Sequence, residues 1–345
     1  MGSSAAIRPA ILLAGVSAAV GLTAATAQSS DTIRISGSST VHPITRSAIR
    51  EFKSTAAGAT SNFKLSETGS SAGFRQFCSG TIVLANASRP ISAKELRSCK
   101  TNNISFIELP IAFDAITVVV NPANNWANIL TINELSRLWS KQAQGKISKW
   151  NQVNLDFPDV GIKLCGPGMD SGTFDVFNKT VNGSKTNSRT DYTSSEDDNV
   201  LVRCVMENKD ALAYFGYAYF KNNAKSLKSV KIINPEGQAT APSRQSVQNE
   251  KYQPLARPLF LYVNDQALRK NKNFRRFVIY YLRNISSLVN SSNYIPLPDS
   301  TYRLVDAKLY RHILGTSFGG DLPVGLTIGQ AIDRSFDQHK TSAHR

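Results

Sequence analysis

The sequence predicts an α/β fold of two lobes built on a mostly parallel sheet. Three observations predict it. A short apolar run meets a Gly/Ser/Thr-rich loop and then a helix-like segment three times, at Gly37-Ser38-Ser39-Thr40, Thr68-Gly69-Ser70-Ser71 and Asp170-Ser171-Gly172-Thr173. Such β-loop-α units pack as parallel strands covered by helices, with ligands at the carboxyl ends of the strands. The 345 residues suffice for two separate cores, and no self-similarity at solenoid periods competes with that reading.

The first 27 residues read as a leader rather than as fold. Arg8 gives a weakly positive start, the stretch from Pro9 to Val20 is almost wholly apolar or small, and Ala25-Thr26-Ala27 fits the small-x-small cleavage pattern. The mature chain is therefore expected to begin at Gln28. The apolar stretch is short and interrupted by Gly, Ser and Thr, which argues against a membrane span, and no Cys follows it closely enough for a lipid anchor. Cleavage leaves 318 residues and removes only Arg8, so the formal net charge falls from +15 to +14. A charge this positive concentrates anions near the surface. The basic residues are scattered, with no Lys/Arg block longer than two and no aromatic–basic motif, which disfavours nucleic acid as the partner.

All four cysteines, Cys78, Cys99, Cys165 and Cys204, follow the leader. An even count in an exported chain predicts two disulfides, and three pairings exist. Cys78–Cys99 with Cys165–Cys204 is preferred because each closes a loop within one lobe. A zinc site lacks any Cys-x-x-Cys pair and nearby His.

Element by element, Thr32 to Ser36 alternates as a strand, and Pro43 suits the first turn of a helix carrying Ile44, Ala48, Ile49 and Phe52 at helical spacing. The unit repeats as a strand over 62–66, the second loop, and a helix over Ala72–Cys78. Thr81 to Ala87 reads as a buried strand ending at Ser88-Arg89-Pro90. Ile116 to Val120 is the strongest strand signal and is read as the first crossing to a second lobe, ending at the Asn121-Pro122 turn. Thr131 with Glu134 makes a capping-box pattern ahead of Leu135, Leu138 and Trp139. Ile162 to Cys165 is a short strand feeding the third loop. Ser194 to Asn199 is expected to cap a helix bearing Val200, Leu201, Cys204 and Val205, and Leu212–Tyr214 reads as a strand. Pro235 to Pro254 looks irregular, Leu259 to Val263 is a strand returning to the first lobe, Phe274 to Leu282 is an apolar helix, and Thr327 onward gives a last helix before a flexible tail from 336. The implied organisation is lobe 1 over 28–115, lobe 2 over 116–256, and a return to lobe 1 over 257–335.

A helix N-terminus offers unpaired N–H groups and a positive dipole end, so it holds anions. Three such starts in one chain point to a small tetrahedral oxyanion. The run from Ser36 to Pro43, Glu67-Thr68-Gly69-Ser70-Ser71-Ala72-Gly73 and Asp170-Ser171-Gly172-Thr173-Phe174 resemble, in order and spacing, the three serine loops of the periplasmic phosphate-binding proteins that serve ABC importers. Asn86-Ala87-Ser88-Arg89-Pro90, Ser195-Glu196-Asp197-Asp198-Asn199 and Arg257-Pro258-Leu259-Phe260 are similar to the branch found in cyanobacteria and related phosphate-starvation proteins. The resemblance spans roughly Ile33 to Leu297 and implies the type II periplasmic-binding-protein fold, with the ligand in the interlobe cleft. It further implies capture of inorganic phosphate in the periplasm, hinge closure, delivery to importer permease subunits, and a monomer without cofactor.

Carried over onto these positions, the family's ligands fall on Ser39, Thr40, the Val41 N–H, Ser70 and Ser71 from the first lobe. Ser171, the Gly172 N–H and Thr173 serve from the second. Two departures stand out. Ser88-Arg89 occupies the loop where many members carry an Asp that accepts the phosphate proton, and Gly166-Pro167-Gly168 occupies the stretch where they carry an Arg. Arg89 is then expected to supply the cation, and Asp170, Glu67 or Asp197 the proton acceptor. A carboxylate there would repel sulfate, which has no proton to give.

Each residue also has a plainer reading. Ser39, Thr40, Ser70 and Asp170 could be helix caps, Arg89 a surface Arg beside a turn proline, and Glu196-Asp197-Asp198 a helix start that complements the dipole. Asp-Ser-Gly at 170–172 invites a serine-hydrolase reading, but a triad needs a His base. The four His are His42, which precedes Pro43, His312, and His339 and His344 in the tail. No metal-ligand spacing suits a phosphatase. The chain is therefore expected not to be an enzyme. The alternatives kept are a receptor for sulfate, arsenate or a phosphonate, and a sensing or adhesion protein of the same fold.

Overall fold

The computed structural model describes residues 32–321 continuously, with 1–2, 323–325, 329–330 and 334. The leader with its cleavage site, and the helix and tail expected from Thr327, lie outside the described residues.

The chain folds from its first strand in β-loop-α steps: β1 (Ile33–Gly37), α1 (His42–Lys53), β2 (Phe63–Glu67), α2 (Ser70–Cys78), β3 (Leu84–Ala87) and α3 (Ala93–Thr101). β4 (Phe106–Val120) then crosses to the second lobe. That lobe holds β5 (Ile129–Leu130), α4 (Ile132–Trp139), β6 (Lys163–Pro167), α5 (Gly172–Asn182), β7 (Thr193–Ser195), α6 (Asp198–Glu207), β8 (Ala211–Gly216), α7 (Tyr217–Asn222), β9 (Lys228–Ser229), β10 (Lys231–Ile233), β11 (Ala239–Thr240) and α8 (Arg244–Gln248). β12 (Ala256–Asn264) returns, followed by α9 (Asp265–Lys270), α10 (Lys272–Arg283), α11 (Ile285–Ser291) and α12 (Asp299–Tyr310).

One nine-stranded sheet runs through both lobes in the order β2-β1-β3-β12-β4-β8-β6-β7, with β9 also on β4. Its flanks are parallel (β2-β1-β3 and β7-β6-β8) and its centre, β12 and β4, is antiparallel to both sides. The parallel sheet expected from the sequence is thus a mixed one. The reason is that β4 starts ten residues before the apolar run at Ile116. Glu108, Pro110 and Asp114 interrupt the hydrophobic pattern of its first half, yet all fifteen residues of the strand are buried. β12 pairs β4 from Asn264↔Phe106 to Ala256↔Ala115, and β8 takes over at Ile116↔Gly216.

Helix starts obey local chemistry. Thr131 and Glu134 make a reciprocal capping box on α4, as Ser92 and Glu95 do on α3. Asp197 caps α6 through the Asn199 N–H, whereas Ser194 and Ser195 belong to β7. Phe52, Phe277 and Tyr281 join α1 and α10 over the first half of the sheet, and Trp139, Phe177 and Tyr214 fill the second. The disulfides are Cys78–Cys99 and Cys165–Cys204, each within one lobe. No helix among the described residues is long and apolar enough to cross a membrane.

Candidate functional site

The carboxyl ends of β1, β2 and β3 face those of β6, β7 and β8, so the loops that lead into α1, α2 and α5 come together. The N-caps of α1 and α2 are Val41 and Gly69, and neither makes a side-chain cap. The hydroxyls of Thr40 and Ser70 are therefore not tied to their own helices. Thr40 Oγ1 lies 3.3 Å from Thr173 Oγ1 of the opposite lobe. Ser70 Oγ lies 3.2 Å from Ser88 Oγ and accepts the Ser88 N–H at 3.1 Å. Gly172 opens α5 against this group: a Cβ there would stand 2.5 Å from both Ser70 Oγ and Ser88 Oγ. Gly69 meets the other lobe too, with φ +80° and a place for Cβ only 2.3 Å from the Asp170 carbonyl oxygen.

The cation at this cluster is Arg257. It stands opposite Asp114 in the β12–β4 ladder, where the strand pairing changes hands. Its Nη2 reaches Thr173 Oγ1 at 2.8 Å, Thr40 Oγ1 at 3.2 Å and Asp114 Oδ2 at 2.8 Å. Its Nε donates to the same Oδ2 at 3.1 Å, and its Nη1 to the Ser88 carbonyl at 3.2 Å. The other Asp114 oxygen accepts the Tyr217 N–H at 2.9 Å. Both side chains are buried. A buried ion pair with every contact made is costly to break by removing one partner. Here it also fixes a guanidinium among hydroxyls from both lobes, the donor set that suits a tetrahedral oxyanion.

The structure brings Thr40, Ser70, Ser88, Gly172 and Thr173 together and adds Arg257 and Asp114. Ser39 borders them through its carbonyl, which accepts the Tyr219 hydroxyl at 3.1 Å, and Val41 is buried at the start of α1. Ser171, expected among the ligands, caps α5 instead, its hydroxyl accepting the Thr173 N–H at 3.0 Å. Ser71 accepts from Arg89 at 2.8 Å, to one side of the cluster.

Arg89 is not the cation of the cluster. Its guanidinium is occupied by Glu95, Asp175, Ser71 and the Pro90 carbonyl. The three expected proton acceptors are likewise engaged elsewhere. Asp170 makes a two-pronged ion pair with Arg75, whose guanidinium holds its carboxyl below the usual range. Glu67 pairs with His42, and Asp197 caps α6. Sequence reasoning missed Arg257 and Asp114 as site residues. The signal available was a charged residue inside each of two apolar strands, which is rarely left unpaired in a core.

Two further carboxyls flank the cluster. Asp198, fully buried at the start of α6, has its Oδ2 without a hydrogen-bond partner. Burial pushes its carboxyl well above the ordinary range, Arg257 opposes that, and Glu67, Asp114 and Asp197 reinforce it. Glu196 accepts the Asp170 N–H at 3.2 Å while its other oxygen lies buried near Gly69. Burial pushes Glu196 up to about 7; the Asp170 N–H counters this, and the charges of Asp170 and Asp175 add to it. The folded chain thus holds a proton on Glu196 that the unfolded chain releases near 4.5. This contribution to stability is complete below that value and is lost as pH rises through about 7. Glu196→Gln is expected to melt at a higher temperature than the parent above neutral pH, with the difference closing as pH falls to the ordinary carboxylate range; thermal melts across that window check it.

Among the described residues, no group of three or more His, Cys, Asp or Glu side chains could hold a metal ion.

The chain matches the PBP superfamily domain over residues 22–283. It is 42% identical over 325 residues to Protein SphX of Synechocystis sp. (strain ATCC 27184 / PCC 6803 / Kazusa), covering 94% of each chain. It is 35% identical over 279 residues to the phosphate-binding protein PstS of Staphylococcus aureus (strain USA300), covering 79% of this chain and 81% of that protein. Among solved structures, a possible phosphate binding protein from Planctomyces limnophilus superposes with a TM-score of 0.61 at 37% identity, over 82% of this chain and 98% of the other. A putative phosphate ABC transporter substrate-binding protein from Clostridium perfringens, solved with bound phosphate, shares the fold with a TM-score of 0.64 at 22% identity, over 78% of this chain and all of the other.

Proposed function

This chain belongs to the PBP superfamily, and from that membership we propose that it is an exported receptor that binds inorganic phosphate between its lobes and delivers it to an ABC importer. It acts as a monomer in the periplasm, after its leader is removed near Ala27, and changes no bond in its ligand. The observation that carries the reading is the convergence of Thr40, Ser70 and Ser88 from one lobe with Gly172 and Thr173 from the other, around the Arg257 guanidinium.

Phosphate near neutral pH is a mixture of mono- and dianion. Arg257 supplies the positive charge, and Asp114 holds its fork in place. Thr40, Thr173, Ser70 and Ser88 donate hydroxyls to the ligand's oxygens, joined by the backbone N–H groups at the starts of α1 and α5. Serine hydroxyls also accept, so Ser70 or Ser88 can accept the hydrogen bond that a hydrogen phosphate donates.

Titration calorimetry of the dialysed mature chain tests this. One phosphate should bind tightly per chain, and Thr40→Ala/Thr173→Ala should weaken it roughly 100-fold or more, because each lost hydroxyl had paired with a charged ligand. Unchanged affinity in that double variant would remove the site assignment.

One observation favours a second reading, a receptor for another oxyanion. Both Asp114 oxygens are already occupied, by Arg257 and Tyr217, so the carboxylate beside the cation does not repel an unprotonated anion as an unpartnered one would. Sulfate that competes with phosphate on equal terms would support that reading over the first.

A further inference from the structure

Arg89 lies at the seam of the two lobes and contacts both. Its Nη1 and Nη2 grip both oxygens of Glu95 at 2.8 and 2.7 Å, Nη1 also donates to the Pro90 carbonyl at 2.9 Å, and the group lies 5.1 Å above the Phe74 ring. These partners all belong to the first lobe. Glu95 is itself held by the Ser92 N–H and hydroxyl, at 2.8 Å each. The guanidinium is therefore positioned by the first lobe alone, which leaves Nε for a partner from the second. Asp175 of α5 meets that face: its Oδ2 accepts from Nε at 2.6 Å and lies 3.4 Å from the Ser71 hydroxyl. Arg89 and Asp175 are almost wholly buried.

A second pair repeats the polarity. Arg75 of α2 grips both oxygens of Asp170, ahead of α5, at 2.7 and 2.8 Å. Beside it the Ser71 N–H donates to the Asp170 carbonyl at 2.8 Å. In both pairs the arginine is on the first lobe and the aspartate on the second. Such contacts exist only while the lobes are together.

We propose that Arg89–Asp175 and Arg75–Asp170 form a latch that holds the closed state, so that these four residues, none of them in the anion cluster, set how slowly the ligand leaves. The inference rests on the phosphate-receptor reading. Arg89 is a preformed socket, and Asp175 the plug that enters it on closure. A cavity of about 280 Å³ reaches the buried pair from the solvent side, lined by Arg89, Asp175, Lys179 and Lys185 among others, with Lys185 Nζ 3.5 Å from Asp175. The exposed pair Arg75–Asp170 is open to screening by salt.

Stopped-flow release of inorganic phosphate from the full mature chain tests the latch. Asp175→Asn should speed release roughly tenfold or more while association stays within about twofold, because losing one partner of a buried charge pair acts on dissociation. Asp170→Asn should speed release about two- to threefold, and adding Arg75→Gln to it should change nothing further. Melting separates a latch from a structural role. The ligand-free Asp175→Asn chain should melt like its parent while the phosphate-induced rise in Tm shrinks. A parental release rate in Asp175→Asn, or an equal loss of Tm with and without phosphate, overturns the latch and leaves the receptor reading standing. A parent chain that binds no phosphate fails the receptor reading instead. The latch, which holds only the liganded closed state, falls with that reading.

Discussion

Arg257→Met is expected to lower phosphate affinity by roughly 100-fold or more, the cost of removing the charged member of a desolvated cluster. It should also cost about 3–5 kcal/mol of folding stability, since Asp114 would remain buried with only the Tyr217 N–H beside it. The two losses can be separated. Arg257→Met/Asp114→Asn removes both charges, so it should recover much of the stability and none of the binding. Arg257→Lys should keep the charge but not the fork that reaches Asp114, Thr40 and Thr173 at once, leaving affinity well below the parent. Calorimetric titration and urea unfolding of the same samples check all of these. Near-parental phosphate binding in Arg257→Met would remove the cation from the site.

Gly172→Ala should be nearly as damaging to binding, with the opposite effect on the fold. The new methyl group would sit 2.5 Å from both Ser70 Oγ and Ser88 Oγ, closer than real contacts allow. These atoms belong to the opposite lobe, so the strain falls on closure rather than on folding. Alanine is also tolerated at the first position of a helix at least as well as glycine. Without phosphate the variant should melt at or slightly above the parental temperature. Its phosphate affinity should fall by roughly 100-fold, the result of about 3 kcal/mol of overpacking in the closed state alone. A variant that binds like its parent would mean that the lobes need not approach this closely.

The contrast between these residues shows what the sequence could disclose. The three anion loops are legible because helix-start chemistry is local: a glycine, a small hydroxyl residue and an apolar run within ten positions announce β-loop-α wherever they occur. Thr40, Ser70 and Thr173 were expected together on that basis, whereas Ser171, expected as a ligand, caps α5 instead. Arg257 and Asp114 were not, because they are 143 residues apart and meet only through the register of β12 on β4. The first half of β4 was illegible for a related reason. Its polar residues break the hydrophobic pattern, yet they are buried because partners on β12 and beyond satisfy them: Glu108 accepts the Tyr262 hydroxyl at 2.7 Å and the Ser317 N–H at 2.9 Å. Arg89 misleads for a third reason. Beside the serine loops it looks like the cation of an anion site, but its direction is set by Glu95, six residues on, and by Asp175 across the seam.

The handover of β4 from β12 to β8 has a mechanical consequence. β4, which runs unbroken between the lobes, can bend or twist about the point where its pairing changes, between Ala115 and Ile116, and Asp114 with Arg257 stands one step from it. The cation therefore sits on the axle. The hydroxyls of Thr40 and Thr173 ride on opposite lever arms, sweeping toward and away from each other as the angle changes, while Arg257 barely travels. An incoming anion meets the guanidinium before the arms swing in. Charge then governs arrival, and geometry governs how long the anion remains.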